Sequence, residues 1–457
     1  DFITPGIKAD IYLYHPEQGV WLDDGEKKIR EEAAKYLNID AKKYYIDEVV
    51  SLIRDLNYIE RNKLGRNNKK IVVKNGVLNL ETLDLELFDK KIYALNALPV
   101  EFNPGATCDK IKNFLEETTP KSQKIIQEWA GYHLLKAYPF HKALMLLGDG
   151  ANGKSTFLNL LTTFLGAENI TNLSLYEITS NRFAKSGLYG KLANIAADIS
   201  ADELKRTGTF KALVGNDRIR GEKKFKNAFY FYNYAKLSFS ANRLPVTPDQ
   251  SRAFFRRWII IDFPNKFEGE NCDPIILNKI TSPAELSGFL NWAIEGLSRL
   301  IKNEKFTDSQ TTEELQIEYE KLSDPVTAFI EKYIELNSDG FVIKDDLYNA
   351  YFKFCELKGF PKVMKNIFTK ELKPRIPSLS ESRRTINGKR KMCWVGIKLR
   401  DVRVAGVPRV DLLDITEKYK KRVERELENP DPLPTLTSHL ANAPLQEKMD
   451  FLLGELS

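Results

Sequence analysis

Histidine and cysteine are both scarce, with four of each in 457 residues. So few histidines argue against a histidine-rich metal centre. The cysteines Cys108, Cys272, Cys355 and Cys393 are scattered without paired spacing. That pattern excludes a disulfide framework and a cysteine-based zinc site, and it points to a reducing, cytoplasmic setting. No apolar run approaches the roughly 20 residues of a membrane helix, and no secretory leader is visible, so no membrane partner is expected. No internal repeat is found. Charge of one sign is not in large excess either. A net charge of +6 permits nucleic-acid binding without arguing for it, so local patches must carry that case. The chain opens at Asp1 rather than Met and is expected to be a piece of a longer protein.

What is present is a soluble globular composition, 42% apolar and 29% charged, at a length that suggests about three domains. Residues 1–105 read as a mixed α+β region. It begins with a hairpin turning at Glu17-Gln18-Gly19, followed by helices over Glu26–Leu37 and Tyr45–Leu56. Strands then follow around an Asn75-Gly76 turn. Residues 106–320 read as an α/β core, 321–400 as helices followed by a hairpin, and 401–457 as a partly helical tail with a proline-rich break.

The stretch "ALMLLGDGANGKSTFLNLLTTFLG" holds the most specific signal. Ala143 to Leu147 is an apolar run of strand length. Phe157, Leu160, Leu161, Phe164 and Leu165 fall at helical spacing, and Gly166 suits the helix end. Between them Gly148, Asp149, Gly150, Ala151, Asn152, Gly153, Lys154, Ser155 and Thr156 match the phosphate-cradling pattern G-x-x-x-x-G-K-[ST]. Glycines let the backbone curl around a polyphosphate, and the freed N–H groups and the positive helix end face the anion. Lys154 is placed to reach the β- and γ-phosphates of ATP, and Ser155 to hold Mg²⁺.

An enzyme of this kind needs an acid at the end of a neighbouring strand. "KLANIAADIS" supplies Asp198 after an apolar run, with Asp202 and Glu203 close behind. A strand-terminal Asp capping a turn is the plainer reading. "AKLSFSANRLP" ends a third strand in Asn242, suited to sensing the γ-phosphate or holding water, or else to starting a loop. "SRAFFRRWIIIDF" places Arg252, Arg256 and Arg257 before another strand. They suit transition-state charge on a neighbouring subunit's nucleotide, a solvated basic turn, or pairing with Asp262, and spacing does not choose between them.

Two basic hairpins are expected. "GNDRIRGEKKFKNAFYFYNY" carries Arg218, Arg220, Lys223, Lys224 and Lys226 with aromatics from Phe225 to Tyr234, a composition suited to single-stranded nucleic acid. The alternative is an edge hairpin protected by lysines. "SESRRTINGKRKMCWVGIKL" carries Arg383, Arg384, Lys389, Arg390 and Lys391 around Asn387-Gly388, behind the basic helix "KVMKNIFTKELK". Helix, helix and basic hairpin is the order of a winged helix, which reads DNA with the helix and grips the backbone with the hairpin. A packing domain with a solvated wing is the bland alternative.

Taken together these stretches resemble the superfamily 3 DNA helicases, a branch of the AAA+ ATPases, and within it the phage, plasmid and poxvirus primase–helicase group. The resemblance is carried by "KNGVLNLETLDLELF", "FLEETTP", "GDGANGKST", "FKALVGNDRIRGEKKFKNAFYFYNYAKLSFSANRLP", "FFRRWIIIDFP", "GFLNWAIEGL" and the segment from "SDPVTAFIEKY" to "WVGIKL", over about residues 65 to 400. The whole looks like the helicase part of an archaeal plasmid replication protein, whose upstream part would be a primase-polymerase. The resemblance implies a P-loop AAA+ core, an α+β N-terminal domain and a C-terminal winged helix. It also implies a homo-oligomeric ring, usually a hexamer, that travels 3′ to 5′ on single-stranded DNA. Lys154 and Ser155 would take the P-loop roles, Asp198 the metal role, Asn242 the sensor role and Arg256 or Arg257 the finger. Lys223, Lys224 or Lys226 would grip DNA. Many superfamily 3 helicases carry two adjacent acids where this chain has Ala197-Asp198. An ATP-dependent origin-binding initiator and a P-loop DNA motor of another kind are the rival functions.

Overall fold

The computed structural model describes residues 1–400 except 7–8, 149, 198–206, 225, 243, 246, 248, 250, 270–271, 309, 316–323, 359–361 and 387–388; residues 401–457 also lie outside it. Asp149, Asp198, Asp202, Glu203, Phe225, the Asn387-Gly388 turn, much of the expected connecting helix in "TEELQIEYEKL" and the whole tail therefore fall outside the described residues. Two compact units divide the chain, one built from Asp1–Asn242 and Thr247–Gln310, the other chiefly from residues after Thr311.

The first unit centres on a five-stranded sheet that is parallel throughout. Its order is Ile170–Thr171, Ala193–Ala196, Lys236–Ala241, Ala143–Leu147 and Trp258–Asp262. Every residue of Ala143–Leu147 and of Lys236–Ala241 is buried, as expected for central strands covered on both faces. The helix Lys154–Leu165 follows the first of these strands and buries Phe157, Leu158, Leu160, Leu161, Phe164 and Leu165. Each such side chain contributes roughly 1.5–3 kcal/mol by leaving water. The helix stops at Gly166, whose φ of 88° turns the chain away while its N–H still reaches Thr162 O at 2.9 Å. The sheet also rests on the helix Gln123–Tyr132, where Trp129 Nε1 donates to Ser238 Oγ at 3.0 Å, and the helix Pro283–Asn303 packs on that helix and on Phe164.

The N-terminal part of this unit is mixed α+β. The hairpin Tyr12–His15/Val20–Leu22 forms as the alternation predicts, and the helices Gly25–Leu37 and Lys43–Leu56 follow it. A second small sheet pairs Lys70–Val73 with Gly76–Asn79 around the Asn75-Gly76 turn.

The second unit packs the helices Pro325–Tyr333, Lys344–Lys358 and Lys365–Arg375 on a three-stranded antiparallel sheet. Its core gathers Phe329, Leu347, Tyr351, Phe368, Trp394 and Ile397. The helix Pro325–Tyr333 is started by Asp324, whose side chain accepts from Thr327 N at 2.9 Å. The hairpin Ser380–Ile386/Lys389–Leu399 forms as expected. A third strand, Ile334–Ile343, joins it and was not anticipated. Its middle, Asn337-Ser338-Asp339-Gly340, has the composition of a loop. The strand accommodates it as a bulge, with the register slipping between Leu336 and Phe341.

Candidate functional site

The chain leaves the buried strand Ala143–Leu147 at its carboxyl end and curls through the loop before the helix. Gly153 caps that helix in the left-handed region, at φ 89°, where a side chain would be strained. A Cβ on Gly148 would fall 1.9 Å from Asn152 Nδ2, so the loop closes only around a bare backbone there. Gly153 itself carries no side chain to cap the helix, whose first-turn N–H groups lie at the loop side of its start.

Asn152 holds the loop together. It is 3% exposed. Its Nδ2 donates to Phe263 O at 3.0 Å, while its Oδ1 accepts from Lys154 Nζ at 2.9 Å. Lys154 Nζ also donates to Gly148 O at 2.5 Å, and Phe267 N donates to Ala151 O at 2.7 Å. The Lys154 amine is thus folded over the loop's mouth, on Gly148 O and Asn152 Oδ1. Ser155 lies exposed beside it and Thr156 is half-buried. The bare-backbone cradle and the lysine turned into it fit a polyphosphate, and the Ser155 hydroxyl fits one ligand position of a hydrated Mg²⁺.

The sheet brings two further polar groups to the same end. Ala241 is in register with Leu147, so Asn242, exposed, stands at the loop's flank on one side. Asp262 is in register with Leu147 on the other side, and burial raises its carboxyl above the usual range. In the sequence Asp262 was legible only as an arginine partner; its place at the loop comes from strand register. Asp198 lies outside the described residues. The strand that leads to it, Ala193–Ala196, is buried and adjoins Lys236–Ala241.

The arginines sit at the opposite end of the sheet. Arg252 opens the short helix Arg252–Phe255 and Arg256 follows it, and Trp258 pairs with Ala143, the first residue of the loop strand. Five residues of strand put them roughly 16 Å from the loop end, and Arg257 contacts Ala253 O rather than Asp262. Arg257 is buried, with Nη1 bonded to Ala253 O and Nε without a partner among the described residues. Burial and then the adjacent Arg256 pull its guanidinium below the ordinary value. Arg256 is half-buried and Arg252 exposed. Burial, with Arg256 nearby, brings the neighbouring Lys142 amine down to about 8.

Lys236, fully buried at the start of a central strand, gave no sequence signal. Its Nζ donates to Leu135 O, Ala137 O and Tyr234 O at 2.7–2.9 Å and lies 4.3 Å from the Tyr132 ring centre. Burial holds its pKa well below that of an ordinary lysine. It ties the sheet to the turn after helix Gln123–Tyr132.

The first basic hairpin pairs Arg218–Gly221 with Phe229–Tyr232. At its turn Lys223 Nζ lies 2.8 Å from Asp10 Oδ2, and Lys226 is bonded to the same carboxylate. Lys224 is exposed. Arg220 reaches Glu222 at 3.3 Å. In the second unit Arg383 and Arg390 are exposed on the hairpin, and Arg384 stacks over the Phe341 ring at 4.4 Å. Lys389 opens the strand Lys389–Leu399.

Three family models match successive blocks of this chain. They are a D5 N terminal like model over residues 7–120, a family of unknown function (DUF5906) over 146–257, and a Poxvirus D5 protein-like model over 321–401. The chain is 23% identical over 235 residues to "Putative helicase 022R" of Frog virus 3 (isolate Goorha), covering 47% of this chain and 24% of that protein. It is 27% identical over 236 residues to "Putative helicase L207/L206" of Acanthamoeba polyphaga mimivirus, covering 49% and 24%. These alignments thus span about a quarter of the viral proteins' length. Among solved structures, an apo form of the NrS-1 C terminal region aligns with 14% identity and a TM-score of 0.41, covering 78% of this chain and 91% of that one. A second, residues 305–718 of the same region, aligns with 15% identity and a TM-score of 0.35, covering 66% and 78%.

Proposed function

We propose that this chain is the ATP-driven helicase part of a DNA replication protein, a superfamily 3 AAA+ motor that works as a homo-oligomeric ring, usually a hexamer, moving 3′ to 5′ on single-stranded DNA. The D5-like matches at both ends and the two viral proteins named as helicases support this class. The observation that carries the mechanism is the polarity of the sheet. The Gly148–Thr156 loop, Asn242 and Asp262 gather at one end, while Arg252 and Arg256 stand at the other. An arginine so far from its own loop is suited to a neighbouring subunit's nucleotide, which makes hydrolysis depend on assembly.

In this reading Lys154 leaves Gly148 O and Asn152 to hold the phosphates, and the backbone N–H groups at the helix start orient them. Ser155, with Asp198, would hold Mg²⁺, which when bound neutralises phosphate charge. Asn242 is placed to position the attacking water or sense the γ-phosphate, with Asp262 at the loop's other flank. Arg256 serves as the finger in place of the buried Arg257. Lys223, Lys224, Lys226 and Arg220 on the first hairpin, and Arg383, Arg384, Lys389 and Arg390 on a winged-helix second unit, form the DNA contacts.

Strand displacement from a forked duplex tests the proposal. Wild type displaces the strand with ATP and not without it. Lys154→Ala, folded by circular dichroism, neither hydrolyses ATP nor displaces. ATP turnover at the wild-type rate by Lys154→Ala would remove the loop as the site. ATP-dependent binding to duplex without displacement would favour an origin-binding initiator.

A further inference from the structure

One carboxylate ties the arginine helix to a second helix far from it in sequence. Asp249 Oδ1 accepts from Ser251 N at 3.0 Å, and Ser251 is the N-cap of the short helix Arg252–Phe255. Asp249 Oδ2 accepts from Lys211 Nζ at 2.9 Å and from the Thr207 hydroxyl. Thr207 is the N-cap of the helix Gly208–Val214, and Lys211 stands within it. Burial works to raise the Asp249 carboxyl, but hydrogen bonds from Ser251, Thr207 and Lys211 outweigh it and hold the group well below its ordinary range. With 16% of the Asp249 side chain and 29% of the Lys211 side chain exposed, solvent screens this pair less than a surface one.

The helix Gly208–Val214 leads into the basic hairpin, and both ends of the hairpin are pinned to it. Asp217 N donates to Ala212 O at 3.3 Å ahead of the first strand. The buried Asn233 donates from Nδ2 to Leu213 O at 3.1 Å after the second. Helix and hairpin thus form one body. On its other side the helix sets Phe210, fully buried, face to face with the Trp258 ring at 4.6 Å and against Phe254 at 5.9 Å. Phe254 lies between Arg252 and Arg256, and Trp258 opens the strand after Arg257. Apolar ring contact is non-directional and resists separation more than sliding. Charge-assisted hydrogen bonds are directional. Phe210 therefore acts as the pivot of this joint, and Asp249 fixes its angle.

We propose that Asp249 is a positioning residue that couples the arginine segment to the hairpin body, so that seating Arg256 on a neighbouring subunit's nucleotide changes the hairpin's affinity for single-stranded DNA. The inference rests on the ring-motor reading above and assigns the residue through which its two sites communicate, a residue that belongs to neither. Both sites bias the same element, the angle between the arginine helix and the helix Gly208–Val214. Linkage makes the effect reciprocal, so DNA changes nucleotide affinity by the same factor.

Fluorescence anisotropy of the full chain with labelled oligo(dT), with and without ATPγS and Mg²⁺, reads the coupling as the ratio of the two affinities. In wild type the ratio departs from one by about fivefold or more. Asp249→Asn keeps the side chain's shape and removes its charge, and brings the ratio to within about twofold of one. Its affinity for oligo(dT) without nucleotide, and for ATPγS without DNA, stays at the wild-type value. Lys211→Met removes the partner instead of the acid and shows the same loss, while Lys211→Arg restores the ratio; this pair is decisive even if Asp249→Asn does not fold. A wild-type ratio in folded Asp249→Asn or Lys211→Met, with or without a general loss of affinity, would mark Asp249 as merely structural and overturn the coupling role alone. A ratio of one in wild type would do the same. Failure of the wild type to bind either oligo(dT) or ATPγS would overturn the motor reading with it.

Discussion

Asp10 occupies the two turn lysines that the DNA reading needs, so removing its charge has a calculable consequence. Asp10 is 21% exposed, Lys223 36% and Lys226 54%. Pairs this open are worth roughly 0.2–1 kcal/mol each, with the Lys226 pair at the low end because solvent screens it. Together they cost DNA about 0.5–1.5 kcal/mol if it must displace Asp10, which is roughly a two- to tenfold factor in affinity. Asp10→Asn is therefore expected to bind oligo(dT) two- to tenfold more tightly than wild type. Its salt slope should steepen by about 0.7–1.4 as one or two cations are freed to meet phosphates. Burial works to raise the Asp10 carboxyl, but hydrogen bonds from Lys223 and Lys226 outweigh it and hold the group below its ordinary range. The clamp is thus fully present above the ordinary carboxylate pKa and is lost as pH falls through the depressed value, so wild type should approach the variant in acid. Anisotropy titrations at several salt concentrations decide the matter. Unchanged affinity with an unchanged slope would refute the idea that Asp10 and DNA compete for these lysines.

Further outcomes follow from buried groups. Arg257→Ala should lower the melting temperature because it empties a buried site, whereas Arg256→Ala should leave stability nearly unchanged and abolish ATP turnover; calorimetry with an ATPase assay separates them. Burial brings the Lys136 amine down to about 8, and its Nζ has no partner among the described residues. The unfolded chain then binds more protons than the folded one between about pH 8 and 10.4, so this group makes stability rise with pH across that window until tyrosine ionisation opposes it. Lys136→Met should raise stability at pH 7 by about 1–3 kcal/mol and flatten that rise, as read by urea unfolding at stepped pH. Glu128, fully buried, accepts from Arg299 Nε at 2.7 Å and from Thr307 N at 2.7 Å. Glu128→Ala leaves the Arg299 contact without its carboxylate and should cost about 3–5 kcal/mol in the same unfolding experiment.

Much of this arrangement was legible in the residues. The strand, loop and helix around Lys154 announce themselves because a buried strand, a glycine turn and a one-sided helix each leave a local pattern. The hairpin over Arg218–Tyr232 was legible as a hairpin from its alternation, while its pairing and its open face come from the strand register. Other features depend on contacts between distant segments. Asp10 and Lys223 are separated by 213 positions. Asp262 reaches the loop through strand register alone. Lys236 reads as an ordinary strand-edge lysine until three carbonyls are folded around it. Adjacent arginines 256 and 257 differ only in which one the short helix turns inward. The strand Ile334–Ile343 was hidden because its bulge uses turn residues.

The central claim is that one subunit's Lys154 loop and the next subunit's Arg256 meet at a shared nucleotide. Mixing Lys154→Ala and Arg256→Ala subunits, each inactive alone, tests it directly. In a random equal mixture about a quarter of the seams join an intact loop to an intact arginine, so ATP hydrolysis should return to roughly a quarter of the wild-type rate. No recovery on mixing, with both variants folded and assembled, would contradict the account, as would full wild-type turnover by an isolated single subunit.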